Sequence, residues 1–184
     1  HPHHFGERIL ASEARLDDLG VTLKRVDPME MVRLNRAVQS SWWRQVAVLD
    51  AEDNPPKGDE LMCWIGYERS GKPVTANSMR LLDLGGATLK EEMESLRLFY
   101  GRLASEKRKT VTFEIDAPYA SRPQHEMVYT GGFWIDPSMR GSGISMIVPK
   151  ISYYAAIALW GAPVSLSIVR DVMMRPDIAA TYNF

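Results

Sequence analysis

The chain has 184 residues, 45% of them apolar and 24% charged, and its 22 basic and 23 acidic residues leave a formal net charge of −1. That length suffices for one domain with a substantial core, and the charge balance argues against nucleic acid or an anionic membrane as partner, both of which favour a basic surplus. The single cysteine, Cys63, excludes an intrachain disulfide and a cysteine-rich metal site, so no metal is expected. No apolar run reaches the length of a membrane span, and a reducing cytoplasm is the expected compartment.

Residues 1–10 carry three histidines within the first four positions and read as a tag-like or disordered N-terminus. Val21 to Val26 alternates as a strand does, and Asp27-Pro28 then supplies a cap and a first-turn proline for a helix running through Trp43. A polar Pro/Gly loop covers 51–60. LMCWIGYE and PVTANSMRLLDL form two strands joined by the turn Arg69-Ser-Gly-Lys. Leu89, Met93, Leu96, Phe99 and Leu103 have helical spacing over 88–104.

Two strands follow, TVTFEID at 110–116 and EMVYTGGFWID at 126–136. Past the second lies Arg140-Gly-Ser-Gly143, then an apolar helix over 144–160 in which Pro149 predicts a kink or a shortened start. PVSLSIV, 163–169, reads as a β-branched strand, and a last helix is expected over 176–182. The order predicts an α+β fold with one β-α-β unit near the end, whose two strands are parallel.

A Gly-x-Gly turn directly before a helix gathers backbone N–H groups at the positive end of the helix dipole, which suits a phosphate. A tight turn needing positive φ explains the same glycines without a ligand. No Gly-x4-Gly-Lys-Ser/Thr motif is present, and the strand before the turn does not open a dinucleotide-binding unit.

The run Ile135, Pro137, Arg140, Gly141, Gly143, Ile144 resembles the acyl-coenzyme A loop of the GNAT superfamily of N-acyltransferases, and the later pieces occur in the family's order as far as Thr-Tyr-Asn-Phe184. The resemblance implies a GNAT-like, mostly antiparallel sheet with helices on both faces. It implies transfer of an acyl group from acetyl-CoA or another acyl-CoA to a small-molecule or peptide amine. Backbone groups of Phe133, Trp134 and Ile135 would pair with the pantetheine arm, which behaves as an added strand. N–H groups of Arg140, Gly141, Ser142, Gly143, Ile144 and Ser145 would hold the pyrophosphate.

The sequence departs from that pattern at Ser138, where Gln or Arg is common, and at Asn183, where glycine is common. Members usually continue for two further strands, so a single GNAT-like domain over 11–184 lacking them is expected, with homodimerisation left open.

Acyl transfer needs a base for the amine and often an acid for the leaving thiolate. The family's usual carboxylate position on the strand before the loop holds Tyr129. Glu114, on the strand expected beside it, is then the candidate base, ahead of Asp116, Glu126 and His125. Tyr182 is the candidate acid, although the family's tyrosine position falls at Ala179. Trp42 and Trp43 are candidates for the wall of an acceptor pocket.

Acyl-homoserine-lactone synthases, which share this fold, offer a second resemblance through Arg36, Trp43, Asp50, Asp53 and Arg80, with Gln39 where they have phenylalanine. It implies acyl carrier protein and S-adenosylmethionine as substrates. A non-catalytic acyl-CoA-binding module is the third reading.

Overall fold

The computed structural model describes residues 3–161 and 165–167. Helix α1 (His3–Asp18) leads into strand β1 (Val21–Val26), and α2 (Pro28–Ala37) follows. The Asp27 carboxylate accepts the Met29 N–H at 2.8 Å and Pro28 occupies the first turn, so α2 starts where the cap residues direct. It ends at Val38, before the tryptophans rather than after them.

Strands β2 (Leu61–Glu68) and β3 (Pro73–Asp83) form the expected hairpin, with Gly71 at φ +86° in its turn. Then come α3 (Leu89–Glu94), α4 (Arg97–Tyr100) and α5 (Ala104–Lys107), strand β4 (Glu126–Ile135), helix α6 (Val148–Trp160) and strand β5 (Ser165–Leu166).

One five-stranded sheet runs in the order β1-β2-β3-β4-β5, antiparallel as far as β4. The crossover through α6 makes β5 parallel to β4, as strand–helix–strand handedness requires. On one face, Leu16 of α1 joins Val21, Val74, Ile144, Ile147, Val148 and Ile151. On the other, α2, α3 and residues 38–60 cover Cys63, Ala76, Met127, Tyr129 and Trp134. These two faces bury the apolar half of each strand and give the sheet most of its stability.

Three expectations change. Residues 3–10 are the opening turns of α1, and Phe5 packs on Tyr154 of α6 at 5.9 Å between ring centroids. Helical spacing continues there as Ile9 and Leu16, which meet the α6 cluster. The 88–104 helix is interrupted at Leu96, whose φ of +61° breaks the hydrogen-bond ladder while its side chain stays buried. Thr110 belongs to the turn that closes α5, and residues 111–116, with Phe113 and Ile115 packed inward, form no helix and join no strand ladder among the described residues. The helix after the loop begins at Val148 rather than Ile144, which is the shortened start that Pro149 predicts: the proline falls in the first turn, where a missing N–H costs nothing. The predicted strand 163–169 is described only in part, and the helix over 176–182 lies outside the described residues.

Candidate active site

The end of β4 is held firmly. Ile135 pairs with Thr75 and Trp134 with Ala76 on β3, and the Thr75 hydroxyl donates to the Trp134 carbonyl at 2.8 Å. The Trp134 ring stacks on Trp42 with centroids 5.6 Å apart and planes 16° apart, and its indole N–H donates to Ser41 Oγ at 3.1 Å. Trp42 is therefore core, whereas Trp43 remains 66% exposed.

Asp136 then turns the chain. Its carboxylate accepts the Ser138 N–H at 2.9 Å and the Ser138 hydroxyl, and pairs with the Lys72 ammonium at 3.1 Å. Those Ser138 hydrogen bonds, aided by Lys72, hold the Asp136 carboxyl below its ordinary pKa.

The glycine loop follows. Gly141 and Gly143 have φ of +79° and +93°, and a Cβ built on either would meet no atom within 4 Å. Ser142 N–H donates back to the Met139 carbonyl at 3.3 Å, and Met146 N–H to that of Gly143 at 3.0 Å. The N–H groups of Gly141, Gly143, Ile144 and Ser145 donate no backbone hydrogen bond among the described residues, and the Ser142 hydroxyl is enclosed without a partner. Ile144 is fully buried and anchors the loop in the α1–α6 core. Unused donors on an anchored backbone, with open space around both glycines, suit an anion, and they lie at a 3-10 turn (Ile144–Met146) just ahead of α6. The Arg140 side chain beside them is exposed.

Strand β4 also holds a feature that the sequence reading missed. Between Gly131 and Trp134 the register against β3 slips by one residue, and Gly132 sits at φ +60°. This is a β-bulge, which bends a strand and re-aims its side chains. A Cβ on Gly132 would lie 2.3 Å from Gln45 Nε2, so the buried carboxamide of Gln45 rests directly on the bulge. Gln45 Nε2 donates to Ser78 Oγ at 3.1 Å, while its Oε1 is enclosed without a partner. Two successive glycines inside a strand were the available signal.

Tyr129 precedes the bulge and pairs with Arg80 on β3 and Leu166 on β5. It is buried, and that burial pushes its phenol up to about 12, so it keeps its proton at neutral pH. Glu114 does not join it. The neighbours of β4 are β3 and β5, and Glu114 is exposed in a separate groove with Lys90, Glu94 and Arg108. Inward packing of Phe113 and Ile115 turns the intervening residue outward. Asp116, Glu126 and His125 are exposed as well. Tyr182 lies outside the described residues.

A charged cluster braces the chain between α2 and β2. The fully buried Asp50 carboxylate meets Arg36 at 2.5 Å and Arg44 at 3.7 Å, and Arg44 also reaches Asp53 at 2.9 Å. Partial burial opposes the Arg36 charge, but the bonds and charges of Asp50 and Glu52 outweigh it and raise its pKa. The Arg80 guanidinium pairs with Glu60 and donates to the carbonyls of Val48 and Asn54. Among the described residues there is no cluster of His, Cys, Asp and Glu that would hold a metal ion, and no helix long and apolar enough to cross a membrane.

Solved structures match this arrangement over nearly its whole length. The aminoglycoside antibiotic 6'-N-acetyltransferase AAC(6')-Ih of Acinetobacter baumannii is 10% identical, with 90% of each chain covered and a TM-score of 0.50. A GCN5-related N-acetyltransferase of Ralstonia eutropha JMP134 is 15% identical, with 90% of this chain and 92% of that one covered and a TM-score of 0.50. The chain has the GNAT fold. No family model and no curated protein matches the sequence. The bulge in β4, the turn at Asp136 and the glycine loop thus lie between the fourth strand and the crossover helix of a GNAT sheet.

Proposed function

We propose that the chain is an N-acyltransferase that takes an acetyl or longer acyl group from coenzyme A and passes it to an amine. The glycine loop carries this reading, through donors left unused in open space directly after β4. The N–H groups of Gly141, Gly143, Ile144 and Ser145, with Arg140 beside them, would hold the pyrophosphate. Phe133, Trp134 and Ile135 form the strand end along which the pantetheine arm would lie. Aminoglycoside and other N-acetyltransferases of this fold make a small-molecule amine the first acceptor class to test.

In the reaction the amine nitrogen attacks the thioester carbon, the C–S bond breaks and the thiolate leaves with a proton, while the nitrogen loses one. Tyr129 stays protonated, so in this reading it is a donor and not the base. Glu114 is not carried forward as the base, because it opens onto a different groove.

One observation favours the lactone-synthase-like reading as second. Arg36, Asp50 and Asp53, which carry that resemblance, meet in one cluster through Arg44. Their charges are satisfied within the cluster, which also suits a brace.

Isothermal titration with acetyl-CoA tests the first reading, using the parent and Gly143→Trp. Micromolar binding by the parent, lost in a folded variant, is expected. A folded parent that binds nothing would overturn it. Turnover that requires S-adenosylmethionine would replace it with the second.

A further inference from the structure

Gln45 lies in the connection from α2 to β2, yet its carboxamide reaches the middle of β4 and is buried there. The fully buried Asn35 of α2 sets its course. Asn35 Nδ2 donates to the Trp43 carbonyl at 2.9 Å, and the Gln45 N–H donates to Asn35 Oδ1 at 3.2 Å. The side chain then lies across β4 and β3. Its Nε2 donates to Ser78 Oγ at 3.1 Å, and the Ser78 hydroxyl donates to Cys63 Sγ at 3.6 Å.

These contacts bracket the bulge. Trp134 pairs with Ala76 and Gly131 with Ser78, so Gly132 and Phe133 stand opposite Asn77 alone. Nε2 takes the place of a side chain at Gly132, 2.3 Å from where its Cβ would be. Packing alone does not account for an amide here. Its Oε1 is enclosed without a partner, a loss that an apolar side chain of equal length would avoid. What the carboxamide adds is a directed bond, which ties the extra residue of β4 to a fixed point on β3.

The bulge also stands where the acyl end of the coenzyme would come. From phosphate to sulfur the pantetheine arm is about as long as four to five extended residues. Running back along β4 from Asp136, where the chain turns, that length ends level with Gly132.

We propose that Gln45 is a positioning residue: it sets the bulge, and through it the place at which the acyl end of the coenzyme meets the sheet. This rests on the acyl-CoA reading and adds the group that seats the arm apart from the pyrophosphate.

Isothermal titration tests it, with acetyl-CoA and with adenosine 3'-phosphate 5'-diphosphate, which keeps the pyrophosphate and lacks the arm. The parent should bind acetyl-CoA more tightly than the nucleotide. Gln45→Met keeps the side-chain length and removes its N–H groups. It should bind the nucleotide as the parent does and lose about tenfold for acetyl-CoA. Ser78→Ala, the milder change, should act in the same direction, and combining the two should add little because they break one bond. Amides at 131–133 should exchange faster in both variants, while those at 141–145 match the parent. Folded variants that keep both affinities, or lose both equally, would overturn the proposal, and so would unaltered exchange at 131–133. A parent that binds both ligands equally would overturn this inference alone. A parent that binds neither would overturn the coenzyme reading and this inference with it.

Discussion

Strand β4 and the loop after it each contain glycines at positive φ, and the surroundings differ completely. Gly132, at φ +60°, has Gln45 Nε2 2.3 Å from where a Cβ would sit and Leu49 Cδ1 at 3.5 Å. Gly141 and Gly143, at +79° and +93°, have nothing within 4 Å. Packing and backbone geometry together demand the first glycine. Only backbone geometry demands the other two, and the space around them is free for a ligand. The same residue type therefore serves a bulge under a buried carboxamide in one place and an accessible row of N–H donors in the other.

Alanine substitutions sharpen this contrast most. Gly132→Ala should cost about 2–4 kcal/mol in urea denaturation, combining left-handed backbone strain with overpacking. Adding Gln45→Ala should return about 1 kcal/mol of that loss, since the two groups touch. Gly143→Ala should cost only about 1–2 kcal/mol, the backbone term alone. Equal costs at the two sites would break the comparison, because the loop would then be as crowded as the bulge.

Tyr129 lies on the crowded side. Tyr129→Phe should lower the acyl-transfer rate by about a hundredfold if the phenol protonates the leaving group. An unchanged rate would make it a core residue. Because burial holds the phenol near about 12, the rate–pH profile of the parent should show no tyrosine step in the neutral range.

The smallest effect belongs to the turn between the two regions. Asp136 has a folded pKa below its ordinary value, so the unfolded chain binds the proton more readily. Its contribution is present above the ordinary carboxylate range and is lost as pH falls through the folded value. Asp136→Asn should therefore lower stability modestly at neutral pH, flatten the acid limb of a stability–pH curve below about pH 4, and change little once the carboxyl is protonated in the parent. An unaltered acid limb would show that the Ser138 and Lys72 contacts do not operate in solution.

Much of this molecule was legible in the chain because its signals are local. Asp27-Pro28 caps a helix, Gly71 turns a hairpin, and Pro137 to Ile144 marks a strand-to-helix loop, each through the conformational limits of a few adjacent residues. The misreadings share a different cause. TVTFEID has strand periodicity, but whether a ladder forms depends on a partner remote in sequence, and β3 occupies the edge of β4 where Glu114 was expected nearby. The tandem glycines at 131–132 were visible, yet their meaning rests on Gln45, which reaches them only through folding.

By itself the sequence determined an α+β chain with a strand–loop–helix unit and a Gly-x-Gly turn between them, because period, caps and glycines act over a few residues. Only the tertiary structure decided that Tyr129 is a buried donor candidate, that Glu114 belongs to another groove, and that Gln45 covers the bulge. Burial, a pKa shift and a cross-sheet contact all depend on which distant segments meet, and no local pattern encodes that meeting.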